Sequence, residues 1–249
     1  MADVDLHTHS RFFHGFESRP TWYDEIGARL HIAVARARGL DAIAITNHDY
    51  YTEFDLDTGY VTVIPGIEIS STAGHILVVG PNPPNITKPN RLTPEEVIEA
   101  AHERDCAAII AHPYRNSRIK DMDVPVDAVE VNGKRSQSTT LIEELAADRG
   151  LSLVGGSDAH YPIEVGRAFT AMDVDSVTPE SAVDAIRDGR TDFRRIERFP
   201  DRYIKRAYGH IHRLKGHTEE IVEPVKSERS DPETQARSGE ECQSSNNTR

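Results

Sequence analysis

The sequence predicts an α/β fold in which parallel strands close into a barrel, and three observations lead there. Short β-branched apolar runs bounded by Gly, Pro or charge recur along the first two thirds of the chain, the pattern of buried strands. Segments with helical spacing and clear stops lie between them, and such alternation, joined by right-handed crossovers, gives a parallel sheet covered by helices. Almost every run ends beside a His, Glu or Asp. An open sheet concentrates its chemistry at one switch point, whereas side chains gathered from every strand end need loops that converge on one barrel mouth.

The first run, Val4 to Leu6, leads into His7 and His9, with His14 just after. Side chains alternate along a strand, so His7 and His9 share a face and can bind one ion from the same side; Asp5, of the same parity, is expected deeper as an orienting group. Tyr23 to Arg38 reads as a helix, with Ile26, Leu30, Ala33, Val34 and Ala37 as its apolar residues and Gly39 as its stop. Ala42 to Thr46 runs towards His48, Val61 to Ile69 contains Glu68, and Ile76 to Val79 follows His75. Thr93 to Arg104 opens with an N-cap Thr, a Pro at the first helical position and Glu96 at the third, which satisfies backbone donors and complements the helix dipole. Ala107 to Ala111 leads to His112, Ala128 to Val131 is a further strand, and Gln137 to Arg149 is a helix ended by Gly150. Leu151 to Val154 leads to Asp158 and His160, and Thr178 to Asp188 repeats the Thr-Pro-Glu opening and stops at Gly189.

A chain of 249 residues can bury an ample core as one large domain or two small ones. The formal charge of −12 opposes nonspecific binding to long nucleic acid, though not a local basic patch that holds a nucleotide or short strand. Cys106 and Cys242 make no disulfide framework, and no stretch approaches the ~18 apolar residues of a membrane span. A soluble, cytoplasmic protein is therefore expected. Residues 1–193 are expected to form the barrel. Residues 194–215, basic and with Phe199, Tyr203, Ala207, Ile211 and Leu214 on one helical face, are expected to be a helix docked on it. Residues 216–249, polar and acidic, are expected to be a disordered tail.

Carboxylates with imidazoles suit Zn, Mn or Fe(II), and no thiolate lies near the clusters. The set DLHTHS, TNHD, PGIE, HP and GSDAH, in that order over roughly residues 3–172, resembles the polymerase and histidinol phosphatase (PHP) family of metal-dependent phosphoesterases. That resemblance implies a distorted seven-stranded TIM-like barrel and two or three divalent ions. His7, His9, Glu68 and Asp158 would hold the first, Glu68, His75 and His112 the second, and His14, His48 and His160 the third. Many members have Asp-Gly where this chain has His14-Gly15, and Thr-Asp-His where it has Thr46-Asn47-His48. The remaining histidines, His31, His102, His210, His212 and His217, have no partner at metal spacing.

The chemistry implied is hydrolysis of a phosphate ester: a hydroxide whose pKa is lowered by the ions attacks phosphorus in line. Arg115 and Arg167 are the foremost candidates to grip phosphate, with Lys134 and Arg135 behind them. His160 either binds metal or protonates the leaving oxygen. The expected substrate is a phosphorylated small molecule or a nucleotide. The alternative is 5'-end exonuclease action on a short RNA or DNA, for which Phe12, Phe13, Phe16, Trp22, Tyr50 and Tyr51 would stack on bases. A noncatalytic metal-binding module would be expected to lack some ligands, and an amidohydrolase to place a Lys at a strand end. No membrane partner is expected, and monomer and dimer are equally open.

Overall fold

The computed structural model describes residues 1–11, 19–134 and 138–196. Nine strands, β1 (Ala2–Thr8), β2 (Ala42–Ile45), β3 (Thr62–Ser71), β4 (Gly74–Val79), β5 (Ala107–Ile110), β6 (Ala128–Asn132), β7 (Ser152–Gly156), β8 (Ala168–Met172) and β9 (Thr191–Arg195), form one sheet. Its order is β7-β6-β5-β4-β3-β2-β1-β8-β9. The first seven are the seven apolar runs of the sequence. The sheet curls until the chain just beyond β7 meets β1: Thr8 bridges Ala159 in parallel, and His9 N–H donates to the Ala159 carbonyl at 2.8 Å. The Thr170 hydroxyl in β8 accepts from Gly155 N–H and donates to the Gly155 carbonyl, fastening β7 to β8. The result is the distorted, nearly closed TIM-like barrel that the sequence predicts.

One strand departs from the parallel arrangement. β4 runs antiparallel to both β3 and β5, because only Thr72 and Ala73 separate it from β3. Two residues close a hairpin, whereas a parallel crossover takes a dozen or more. The reversal brings the first residues of β4 level with the last residues of β3.

Apolar packing fills the barrel and coats it. Val4, Leu6, Ile64, Leu77, Ile109 and Val154 form one buried cluster together with Ala182, Val183, Ala185 and Ile186 of α4 (Pro179–Arg187). Helix α4 thus packs on the end of the barrel where the parallel strands begin. α2 (Pro94–His102) and α3 (Thr139–Arg149) cover β3 to β6 through Val97, Ile98, Ile142 and Ala146. Thr93 caps α2 through its capping box with Glu96, as the sequence predicts.

α1 (Trp22–Arg38) packs on the barrel with the face opposite to that expected. Gly27, Ala28, His31, Ile32 and Ala35 are buried, while Ile26, Leu30, Ala33 and Ala37 are exposed. Both faces carry apolar residues at helical spacing, so periodicity alone does not choose between them. Gly27 does: a Cβ there would collide with the backbone of Ser10, so only this side lets the helix come so close.

β8 and β9 were not anticipated from sequence. β8 pairs antiparallel with β1, and β9 antiparallel with β8. β9 extends to Arg195, two residues into the stretch read as a basic helix. The rest of that helix, and the acidic tail 216–249, lie outside the described residues. Among the described residues no helix is long and apolar enough to cross a membrane.

Candidate metal centre

The ends of the strands opposite α4 carry the clustered side chains, and each element contributes for a traceable reason. In β1 the pairing with β2 shifts register between Asp5 and Thr8, a bulge of the kind that re-aims side chains beside functional sites. Val4 and Leu6 belong to the apolar interior, yet His7 lies among Glu68, Glu130 and His9. Asp5 is buried and accepts backbone N–H groups from His7, Ser157 and Gly166 at 3.3, 2.9 and 2.7 Å, so it ties β1 to β7 and to the loop before β8. Burial pushes its pKa up to about 6 against those hydrogen bonds.

Glu68 stands at the centre. Its Oε2 lies 3.2 Å from His7 Nε2, 3.2 Å from His9 Nε2 and 3.1 Å from His48 Nδ1. Its Oε1 lies 2.6 Å from His75 Nδ1 and 3.0 Å from His112 Nε2. His75 reaches this point because of the β4 reversal: it is a strand-start residue, paired with Ser70, but its strand starts at the rim. Asp158 faces Glu68 across the two leading imidazoles, with Oδ1 at 3.5 Å from His9 Nε2 and 4.0 Å from His7 Nε2. His160 lies against His9 with the rings tilted by 35° and their centroids 4.3 Å apart. His14 lies outside the described residues, as do Arg135, Phe12, Phe13 and Phe16.

The donor set fits divalent metal ions. Three groups each bring ligand atoms within 4.8 Å of one another: His7, His9 and Asp158; His48, Glu68 and His75; and His9, His48 and His160. The ring nitrogens of His7 and His9 face each other at 3.0 Å, and the buried Nδ1 atoms of His9 and His112 have no hydrogen-bond partner among the described residues. Buried imidazoles without enough protein partners are costly unless a cation takes their lone pairs. Two of the group, His112 (φ +30°) and Asp158 (φ +52°), hold left-handed backbones, the stored strain of order 1–3 kcal/mol each that concentrates at functional sites.

Sequence reasoning missed Glu130, the contribution of β6. Its Oε1 accepts from His7 Nδ1 at 2.7 Å, so that Nε2 offers its lone pair to the centre, and its Oε2 accepts from the His112 N–H at 2.8 Å. The Asn132 amide links Glu130 Oε2 to Asp158 Oδ2, at 3.2 and 3.5 Å. Gly156 makes room, since a Cβ there would collide with Glu130 Oε1 and the Cβ of His7. A carboxylate inside the apolar run AVEVN was the available signal, because a charge in a buried strand needs partners.

The electrostatics follow from burial and from the partners. Burial opposes charge on every group, but His48, His7 and His75 hold the Glu68 carboxyl well below the usual carboxylate range, and Lys134 with His160 and His9 does the same for Asp158. His7 is raised well above the usual imidazole range by Glu130 and Glu68 despite burial, and His75 is raised by Glu68. Burial and the neighbouring His9 push His160 down to about 3, which keeps it a neutral lone-pair donor.

The predicted phosphate-gripping residues divide into two kinds. Half-exposed Arg115 places Nη1 3.2 Å from Asp158 Oδ2, and Lys134 Nζ sits 3.0 Å from Asp158 Oδ1 and 2.9 Å from His160 Nδ1. Arg167 is buried instead, with Nη1 3.2 Å from Glu164 Oε1. Glu164 Oε2 accepts the N–H groups of His160 and Tyr161, so Arg167 braces the loop that carries His160. His31 is buried and His102 pairs with Asp127 at 3.0 Å; neither enters a metal-type group.

A family model described as PHP-associated matches residues 138–191, the stretch holding Asp158, His160 and Arg167. An uncharacterized protein of Methanocaldococcus jannaschii is 32% identical over 142 residues, 51% of this chain and 80% of that protein. Among solved structures, PsfC from Pseudomonas syringae superposes with a TM-score of 0.64 at 19% identity, over 86% of this chain and 98% of that one. The lesion-specific endonuclease Q of Pyrococcus furiosus gives 0.53 at 20% identity, over 75% and 56%. A two-domain Bacteroides vulgatus protein containing a predicted PHP-like metal-dependent phosphoesterase gives 0.52 at 20%, over 78% and 64%.

Proposed function

The chain belongs to the PHP family of metal-dependent phosphoesterases, hydrolases that act on phosphoric ester bonds, and from that premise we propose that it hydrolyses the phosphate ester of a small metabolite or a nucleotide. The observation that carries this reading is Glu68, contacted by five imidazoles and faced by Asp158, with Arg115 and Lys134 converging on Asp158 from the rim. His7, His9, Glu68 and Asp158 would hold one ion, Glu68, His75 and His112 a second, and His48 and His160, with His14 from outside the described residues, a third. Two or three ions of Zn, Mn or Fe suit these nitrogen-rich sets. When bound, such ions polarise phosphoryl oxygens and lower the pKa of water towards neutrality.

The protein's own groups do the rest. Arg115 and Lys134, both beside Asp158 at the rim, would take the nonbridging oxygens of the phosphate, Arg115 by a two-pronged hydrogen bond and Lys134 as a point charge. Glu130 keeps the His7 proton on Nδ1 and the His112 backbone fixed. Arg167 acts through Glu164 on the backbone of His160 and is a positioning residue. His160, whose ring nitrogen lies within 4.8 Å of those of His9 and His48, would serve as a ligand rather than as the proton donor to the leaving oxygen.

A second reading, action on the end of a short RNA or DNA, draws support from endonuclease Q, whose structure has also been solved with a 27-mer duplex bearing an abasic lesion at the active site. The net charge of −12 favours the small substrate. The test is phosphate release from a panel of nucleotides, phosphorylated metabolites and short oligonucleotides, with metal content measured by mass spectrometry on protein purified without added metal. Turnover on small esters, weakly dependent on salt, is the expected result. Turnover on oligonucleotides alone, with strong salt dependence, would replace the first reading with the second. Bound metal without turnover on the whole panel would overturn both.

A further inference from the structure

Helix α1 has two apolar faces and the barrel covers only one. On the outer face Tyr23, Ile26, Leu30, Ala33 and Ala37 follow one another at intervals of three and four, the spacing of a seam between two packed helices. Tyr23 is 55% exposed and Ile26 and Leu30 44% each, and Trp22, stacked on Tyr23 with ring centroids 3.5 Å apart, is 66% exposed. A contiguous exposed apolar patch marks an interaction surface.

We propose that this face is covered by the same face of a second copy of the chain, with the two α1 helices antiparallel about a two-fold axis at Leu30. The distribution of bulk along the seam is what selects this occupant. Trp22, Tyr23 and Ile26 crowd the first half, whereas the second half offers Ala33 and Ala37. Reversing one helix on the other sets large residues against smaller ones: Tyr23 meets the partner's Ala37, Ile26 meets the partner's Val34 with the partner's Ala33 beside it, and Leu30 meets itself. Such self-complementarity is the requirement of a two-fold interface. The two-fold brings Arg29 near the partner's Arg29, and each is neutralised by its own Glu25 at 2.7 Å. The basic stretch 194–215 is the competing cover by sequence, but its surplus of Arg and Lys would face Arg29 and Arg36. A single helix pair is small beside the ~1,200–2,000 Å² of stable interfaces, so association in the micromolar range is expected.

Light scattering on the full chain from about 1 to 200 µM tests this. The mass is expected to rise from 27.8 kDa to twice that value. L30E should hold it at the monomer mass while metal content, circular dichroism and hydrolysis stay unchanged, because Leu30 is exposed on the outer face of α1 and belongs to no metal-type group. E25R, which leaves Arg29 unneutralised beside the partner's Arg29, should weaken the dimer, and the double variant E25R/R29E should restore it. In a C242S background L30C should give an interchain disulfide on oxidation, as a residue on the axis must. A monomer throughout, or a dimer indifferent to L30E, would overturn the proposal. So would a monomer in which L30E speeds hydrogen exchange within residues 197–215, which would identify that segment as the cover.

Discussion

At the end of the barrel where the parallel strands begin, α4 sets Ala182, Val183, Ala185 and Ile186 against Val79, Ala107 and Val154, all of them buried and apolar. At the other end the same strands finish in His7, Glu68, His112 and Asp158, with His75 brought level by the β4 reversal and Glu130 behind them. One end holds its side chains by dispersion and exclusion of water. The other holds buried donors that compete for too few acceptors, on backbones bent into the left-handed region at two positions. The contrast teaches that stability and chemistry share the strands but not the same stretch of them, as the barrel architecture leads one to expect.

The strongest way to break that contrast is E68A. It should abolish turnover and empty two metal positions, seen by mass spectrometry, while the metal-free barrel stays folded by circular dichroism; retained activity would sink the site assignment. I186A is the converse, leaving metal stoichiometry intact and costing about 3 kcal/mol of unfolding free energy, the usual range for a buried aliphatic truncation. E130Q lies between the two ends. It should weaken metal binding roughly 10- to 100-fold in chelator competition, with partial retention of structure because the amide still reaches His7 and His112.

R115A should raise KM about 10-fold, the size of a lost charged hydrogen bond, with a smaller change in kcat. The finest test is the sign of a pH dependence. In metal-free protein His7 and His75 have pKa values raised by Glu68, and for His7 by Glu130 as well. Their contribution to stability is therefore full below about 6.5 and lost as pH rises through the raised values. With metal bound the ions displace those protons, and the metal's contribution should grow over the same interval. Thermal unfolding of both forms from pH 6 to 9 should thus give slopes of opposite sign; parallel slopes would mean that the histidines are not ligands.

Much of this arrangement was legible in the sequence, because strand ends carrying His and Asp are a local signal. His7, His9, Glu68, His112 and Asp158 meet where the motif order placed them. What was hidden depended on three-dimensional choices. The outer and inner faces of α1 are equally periodic, and Gly27 decided between them. The short connection Thr72-Ala73 carried the β4 reversal, which a reading of apolar runs alone passes over. β8 escaped because Ala168 to Met172 holds two Ala and a single β-branched residue, Thr170, and β9 because four of its five residues are polar and none is fully buried. Glu130 was concealed by its own surroundings, a single charge within an apolar strand.

Because α4 stoppers the barrel and the interior behind Glu68 is filled by buried Leu6, Ile64 and Leu77, the described residues leave the centre to be reached from the rim where Arg115 and Lys134 stand. Under the proposed chemistry, whatever is released there must leave against the inward traffic of fresh ester, past the same Arg115 and Lys134 that drew the ester in. Free phosphate is then a competitor by architecture, and a cell rich in phosphate would throttle this enzyme without any dedicated regulator.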